Sequence, residues 1–189
     1  LTQMTGDSWF SISPDGNWTA QVQVAYPFDK NGVTTGDQYY VRLEVMKYDG
    51  SLNWTVLDKW SDWGLGYTIP ANLHWRQDSR RLYFSEQAVA EGCLIFGNEN
   101  GLYEVNLEDG YVREISGQTY GELQASPDGQ RIAILSDKVI ALRDFSGAQI
   151  AQSKLDFIEG DWQAGKLIWS PDGKMLAFTV MFNPCGPPD

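Results

Sequence analysis

Residues 167–178 read LIWSPDGKMLAF, in which two apolar stretches flank a Ser-Pro-Asp-Gly tetrapeptide. Ser at the first position, Pro with its fixed φ at the second and Gly at the fourth are the residue types of a type I turn. Apolar residues alternate with other residues on both sides of the turn, which is typical of strands that bury one face. The stretch therefore predicts a β-hairpin with its turn at 170–173.

The same turn recurs along the chain, at 13–16 and 126–129, and as a degenerate Arg-Gln-Asp-Ser at 76–79. The flanks repeat as well, because the positions five and three residues before the turn Asp are occupied mainly by large apolar residues. Because the two positions are two residues apart, they lie on one face of the incoming strand. They are Phe10 and Ile12, Leu73 and Trp75, Leu123 and Ala125, and Leu167 and Trp169. Each of the four turns contains one aspartate, which we expect to accept hydrogen bonds from local backbone N–H groups and to have a structural role. These aspartates are Asp15, Asp78, Asp128 and Asp172.

A second strand follows each turn, and in the first three copies a third and a fourth strand come after it. The third and fourth strands are separated by Gly turns at 49–50, 109–110 and 146–147. Each of these copies is predicted to be a four-stranded antiparallel meander, and the last copy a hairpin. The approximate repeats are 1–63, 64–116, 117–160 and 161–189, within one partial domain that spans 1–189. The first copy is stretched at 27–32, and the second carries an insertion around 91–96.

A meander with two apolar faces cannot bury either face alone, whereas radial stacking of copies buries both. The sequence therefore predicts an all-β fold, a β-propeller of three full four-stranded blades plus a terminal hairpin. The pattern of residues 167–178, and that of residues 102–110 (LYEVNLEDG), resemble the TolB-like or PD40 repeat of WD40-like propellers. The resemblance covers nearly the whole chain and implies the fold rather than a role, since propellers serve many functions.

The final hairpin lacks its two outer strands, so we expect the blade stack to be completed from elsewhere. The completing strands would come from further blades of a larger propeller, from a protein partner or from a second copy in a homo-oligomer. An isolated fragment would expose an unpaired blade face, which favours aggregation.

Composition excludes several classes of partner. The chain has 25 acidic and 14 basic residues, a formal net charge of −11, whereas nucleic-acid binding needs a Lys/Arg surface. No apolar run approaches the roughly 20 residues of a membrane helix, so we expect no membrane insertion. The sequence begins at Leu1 without an initiator Met, a basic n-region or an apolar h-region. We therefore expect any signal peptide to have been removed or to lie outside this sequence.

Catalytic and metal-binding patterns are scarce. His74 is the one histidine, and no G-x-S-x-G elbow, P-loop, dinucleotide glycine pattern or H-E-x-x-H is present. One histidine and two distant cysteines cannot form a zinc site from N and S ligands alone. The loops at 29–32 and 98–101 echo part of a calcium loop but lack its first ligand and its closing Glu. We therefore predict no enzymatic activity in this chain, no cofactor and no metal.

Two further features are candidates for function. Trp60, Trp63 and Tyr67 fall in the segment that joins the first two repeats, where flat rings can stack on sugar or peptide groups. Alternatively, such rings fill the space between blades. Cys93 and Cys185 form a disulfide in an oxidising compartment or remain two thiols in a reducing one, and the sequence leaves both alternatives open.

Three functions remain as hypotheses. The first is a non-enzymatic propeller scaffold for binding or assembly, in the periplasm or outside the cell, a location that rests on the TolB-like resemblance, the acidic composition and the two cysteines. The second is part of the gating propeller of a prolyl-oligopeptidase-type serine peptidase, whose catalytic residues would lie beyond Asp189. The third is a glycan-binding module that uses Trp60, Trp63 and Tyr67.

Overall fold

The computed structural model of the chain describes residues 3–28, 31, 36, 38–62, 68–88, 96, 99–118, 121–136, 138–158, 160 and 162–182. Regular secondary structure in these residues consists of β-strands. None of the described segments forms a helix long and apolar enough to cross a membrane. The strands form three four-stranded sheets and one two-stranded sheet.

Each sheet follows the order of the chain. The first contains β1 (Gln3–Ile12), β2 (Trp18–Phe28), β3 (Gln38–Lys47) and β4 (Asn53–Asp62). The second contains β5 (Thr68–Trp75), β6 (Arg81–Ala88), β7 (Glu99–Asn106) and β8 (Val112–Gln118), and the third β9 (Glu122–Ala125), β10 (Arg131–Ser136), β11 (Val139–Asp144) and β12 (Gln149–Lys154). The last is the hairpin of β13 (Trp162–Trp169) and β14 (Leu176–Phe182). Consecutive strands pair antiparallel, which confirms the predicted fold of four-stranded blades followed by a terminal hairpin.

A tight turn joins the first two strands of every blade. The backbone N–H of the fourth turn residue donates to the carbonyl of the first, for example from Gly16 to Ser13 at 2.9 Å and from Gly173 to Ser170 at 2.8 Å. The fourth residue has a φ of 72° at Gly16, 67° at Gly129 and 66° at Gly173. Glycine suits this left-handed conformation because it has no Cβ. Ser79, with a φ of 55°, is the non-glycine residue at the same position of the second blade.

The core lies between successive blades, so each blade has a leading face toward the preceding blade and a trailing face toward the next. Alternation along β6 shows the arrangement, since Leu82 and Phe84 pack against the first blade while Tyr83 packs against the third. Trp75 and Trp169 are buried on leading faces, as the repeat predicts. On the trailing faces the buried apolar residues include Ala20, Val22 and Val24 of the first blade, Tyr83 and Leu102 of the second, and Ala133 and Leu135 of the third.

The leading face of the first blade departs from the expected pattern. Phe10 and Ile12 are 68% and 55% exposed. Thr19 and Gln21 of β2 occupy the positions that hold Leu82 and Phe84 in the second blade. The expectation that both faces of every blade are apolar is therefore wrong for this face. No described blade covers this face, and its polar residues Thr19 and Gln21 are half-buried.

Candidate functional site

Hydrogen bonds between the first strands of successive blades hold the centre of the molecule together. The indole Nε1 of Trp75 in β5 donates to Ser11 Oγ in β1 at 2.9 Å. Trp169 Nε1 in β13 donates to the backbone carbonyl of Gln124 in β9 at 3.2 Å. Ser11 and Gln124 occupy the same repeat position, four residues before the turn Asp. Each of these two tryptophans thus bonds its blade to the preceding blade at the same position along the first strand.

The turn aspartates are engaged in local hydrogen bonds. Asp15 Oδ1 accepts the backbone N–H of Asn17 at 3.0 Å and the hydroxyl of Ser13 at 2.6 Å. These bonds, with that from Ser13 first, lower the pKa of Asp15 from 3.8 to about 2. The backbone N–H two residues after the Asp makes the corresponding bond in the other turns, to Asp78 at 3.0 Å, Asp128 at 3.0 Å and Asp172 at 3.1 Å. Each carboxylate oxygen Oδ1 is therefore occupied by its own turn.

The predicted aromatic site is described at one of its three residues. Trp60 lies in β4, is 51% exposed and faces Tyr40 of β3 with ring centroids 5.4 Å apart. Trp63 and Tyr67 lie outside the described residues. The structure thus places an aromatic pair, the exposed Trp60 and the half-buried Tyr40, on adjacent strands of the first blade.

The insertion in the second blade is described at Phe96, which lies against β13 of the fourth unit. A Cβ added at Gly165 would come within 2.2 Å of Phe96 Cγ, so this contact depends on glycine. The predicted cysteine pair, Cys93 and Cys185, lies outside the described residues. Phe96 therefore contacts the terminal hairpin at Gly165.

In the hairpin of β13 and β14, the edge of β14 away from β13 is open among the described residues. The second strands of the three full blades, β2, β6 and β10, pair on both sides. In the described part of the chain β14 pairs with β13 alone. An apolar cavity of about 340 Å³ lies beside it, lined by Phe157, Ile158, Trp162 and Val180. Phe182, which is 54% exposed, stands edge-on to Trp162 with ring centroids 5.9 Å apart. An unpaired strand and an apolar hollow thus occur together.

A second cavity, of about 290 Å³, lies where the first strands β5, β9 and β13 approach one another. His74 lines it, and burial lowers the pKa of its imidazole from 6.5. The sequence places His74 in a strand, but its companions in the cavity were not predicted. They include Asn72 of the same strand, β5, and Gln124 and Lys166 from the third and fourth units. Their one sequence signal is their repeat position, since Gln124 aligns with His74 and Lys166 aligns with Asn72 when the turn Asp residues are superimposed.

Metal-binding geometry is not found in the described residues, where no three His, Cys, Asp or Glu side chains are grouped to hold an ion.

Comparisons with known proteins add little about function. No protein-family profile matches the sequence, and no curated protein matches it significantly. Among solved structures, the chain is similar to an oligogalacturonate lyase in complex with manganese, with 13% identity, a TM-score of 0.49, and coverage of 96% of this chain and 67% of that one. It is also similar to a protein described as TolB from Agrobacterium tumefaciens, with 13% identity, a TM-score of 0.46 and coverage of 97% and 72%. A third is hydrazine synthase of Kuenenia stuttgartiensis, with 11% identity, a TM-score of 0.44 and coverage of 93% and 71%. Such distant similarity transfers no activity to this chain.

Proposed function

We propose that this chain is a non-enzymatic β-propeller scaffold that binds and assembles with further β-structure. The observation that supports the proposal is the unpaired edge of β14. The strand equivalent to β14 is an inner strand of its sheet in every full blade. An unpaired strand edge is a template for pairing with another strand. The open edge is therefore the place at which assembly begins.

The occupant we propose is a pair of strands that takes the places of the third and fourth strands. In the second blade the third strand, β7, pairs antiparallel with β6 and directs Leu102 to the trailing side and Val105 to the leading side. A strand that paired with β14 and directed apolar side chains to both faces in the same way would cover Val180 and Trp162. Backbone hydrogen bonds would supply affinity, and the cavity beside Phe157 would select the side chains.

The source of these strands is further blades, a protein partner or a second copy. We also propose a location in the periplasm or outside the cell, on the basis of the acidic composition and the TolB-like sequence pattern. A disulfide between Cys93 and Cys185 would support an oxidising compartment. Intact mass spectrometry of the full chain tests it, since reduction of one disulfide adds about two mass units. An unchanged mass on reduction would argue against the oxidising location.

A surrogate for the missing strands tests the assembly proposal. The probe is a synthetic peptide with the sequence of residues 99–118, which forms the third and fourth strands of the second blade. We expect saturable binding to the full chain, measured by calorimetry. Phe182→Lys, which introduces a charge beside the cavity, should weaken binding at least tenfold.

The matched control is Ile12→Lys, since Ile12 is 55% exposed and lies on the leading face of the first blade. This variant should bind the peptide as the wild type does. Equal weakening by both substitutions would show that the peptide does not use the β14 edge. Absence of peptide binding, together with a chain that remains monomeric, would overturn the proposed function.

A further inference from the structure

We infer that the cavity between β5, β9 and β13 binds a small organic carboxylate, with Lys166 facing the carboxylate and Gln124 and His74 facing the rest of the ligand. This inference goes beyond the assembly proposal, because it concerns the centre of the blade stack and not the edge of β14.

The cavity has the size and composition of a small-ligand site. Its volume of about 290 Å³ is just below the usual range of ligand pockets, roughly 300–1,000 Å³. Leu73, Leu167 and Ile168 supply apolar wall, and the polar residues come from three different strands. A largely apolar pocket with a few convergent polar groups is the usual form of a ligand site.

Two residues with a positive φ line the cavity. Asn72 and Lys166 have φ values of 52° and 56°, in the left-handed region that asparagine enters readily and lysine rarely. Both lie at irregularities in strand pairing, between Ala71 and His74 in β5 and between Gly165 and Ile168 in β13. Bulges of this kind redirect side chains, and strain of this kind accumulates at functional sites. The two irregularities occupy the same repeat position and border one cavity.

One buried polar atom at the cavity lacks a partner within the described structure. The Nε2 atom of His74 is buried and has no hydrogen-bond partner among the described residues. Gln124, which lines the same cavity, is 9% exposed. Buried polar groups are nearly always hydrogen-bonded, to protein, to water or to a ligand. A polar ligand at the cavity would supply a partner for His74.

Charge selects the class of ligand. Lys166 is the one charged residue among those that line the cavity, and it forms no ion pair with a described residue. The ammonium of Lys166, an exposed residue, favours an anion at this position, against the net charge of −11 of the chain as a whole. A carboxylate would meet Lys166, while a hydroxyl or amide on the same molecule would meet Gln124 and His74.

A single NMR signal reports on the cavity. The chain has one histidine, so the imidazole Hε1 resonance of His74 is identified without further assignment. Acetate, lactate and succinate would be titrated separately at constant pH and ionic strength, with lactamide as the neutral counterpart of lactate and inorganic phosphate as the alternative anion. We expect at least one carboxylate to shift the His74 resonance saturably, and lactamide to leave it in place.

Variants separate binding in the cavity from a general salt effect. Lys166→Gly removes the ammonium and tolerates the positive φ, and Gln124→Leu removes the amide but keeps the backbone carbonyl that accepts from Trp169. Each should weaken binding at least tenfold, whereas Lys174→Met, at a lysine whose side chain is 80% exposed, should bind as the wild type does. Circular dichroism confirms that each variant is folded.

Three results would overturn the inference. The first is the absence of a saturable shift with all three carboxylates up to about 50 mM, which is weaker than a specific site should be. The second is unchanged affinity in Lys166→Gly. The third is a saturable shift with phosphate alone, which would replace the carboxylate by a different anion.

Discussion

Ser79 Oγ accepts a hydrogen bond from the backbone N–H of Asp15 at 3.1 Å, and this bond joins the turn of the second blade to that of the first. The other three turns have glycine where the second has Ser79. Serine at a φ of 55° is strained by about 1–2 kcal/mol, and the hydrogen bond returns about 0.5–1.5 kcal/mol. The hydrogen bond therefore explains why this turn has serine at position 79, because glycine has no hydroxyl to accept it.

Substitutions at Ser79 separate strain from hydrogen bonding. Ser79→Ala keeps the positive φ and leaves the Asp15 N–H without its acceptor, so we expect a loss of about 1–2 kcal/mol in the free energy of unfolding. Ser79→Gly loses the same bond but relieves the strain, and should be more stable than the alanine variant by about 1 kcal/mol. Urea unfolding measures both. An alanine variant as stable as the glycine variant would contradict the assigned strain.

Two equivalent glycines differ in what surrounds them. Gly50 and Gly110 end the corresponding turns of the first and second blades, with φ values of 74° and 72°. A Cβ at Gly110 would come within 2.7 Å of the Trp54 ring, whereas a Cβ at Gly50 meets no atom within 4 Å. We expect Gly50→Ala to cost about 1 kcal/mol and Gly110→Ala a further 1–3 kcal/mol, roughly, from overpacking. Equal losses in thermal unfolding would show that Trp54 does not pack there.

The contact between Phe96 and Gly165 tests whether the insertion docks on the hairpin. Gly165→Ala should destabilise the chain by about 1–3 kcal/mol, because the new Cβ overlaps the Phe96 ring. In a Phe96→Ala background the same substitution should cost little. A double-mutant cycle in denaturant measures the coupling, which should exceed about 0.5 kcal/mol. Strictly additive effects would indicate that the two residues do not touch.

The turn aspartates predict how stability varies with pH. The pKa of Asp15 falls from 3.8 to about 2 on folding, so its contribution is complete above pH 3.8 and is lost as the pH falls toward 2. Asp15→Asn should therefore be less stable than the wild type at pH 7, by less than about 1 kcal/mol because the group is exposed. The difference should vanish near pH 2. Denaturation midpoints of the wild type and the variant from pH 7 to pH 2 test this.

Local sequence chemistry was sufficient to predict the blades. Turn residues at 13–16, 126–129 and 170–173 and alternating apolar residues specify each hairpin through interactions within a few residues. The sequence predicts an exposed blade face, but its apolar repeat positions did not show that this face is the one with Phe10 and Ile12, which lies on the first blade and has no described neighbour. The cavity between β5, β9 and β13 could not be predicted either. It is formed by residues more than 40 positions apart and by bulges that the repeat pattern in the sequence does not reveal.

Mass measurement of the full chain by light scattering over a range of concentrations tests most directly whether the β14 edge is an assembly site. An unprotected strand edge pairs with another copy when no other partner is present. We predict that the mass of the wild type rises with concentration, that Ile12→Lys behaves in the same way, and that Phe182→Lys shifts association to at least tenfold higher concentration. A wild-type chain that remains monomeric up to about 1 mM, or three proteins that associate equally, would contradict the account.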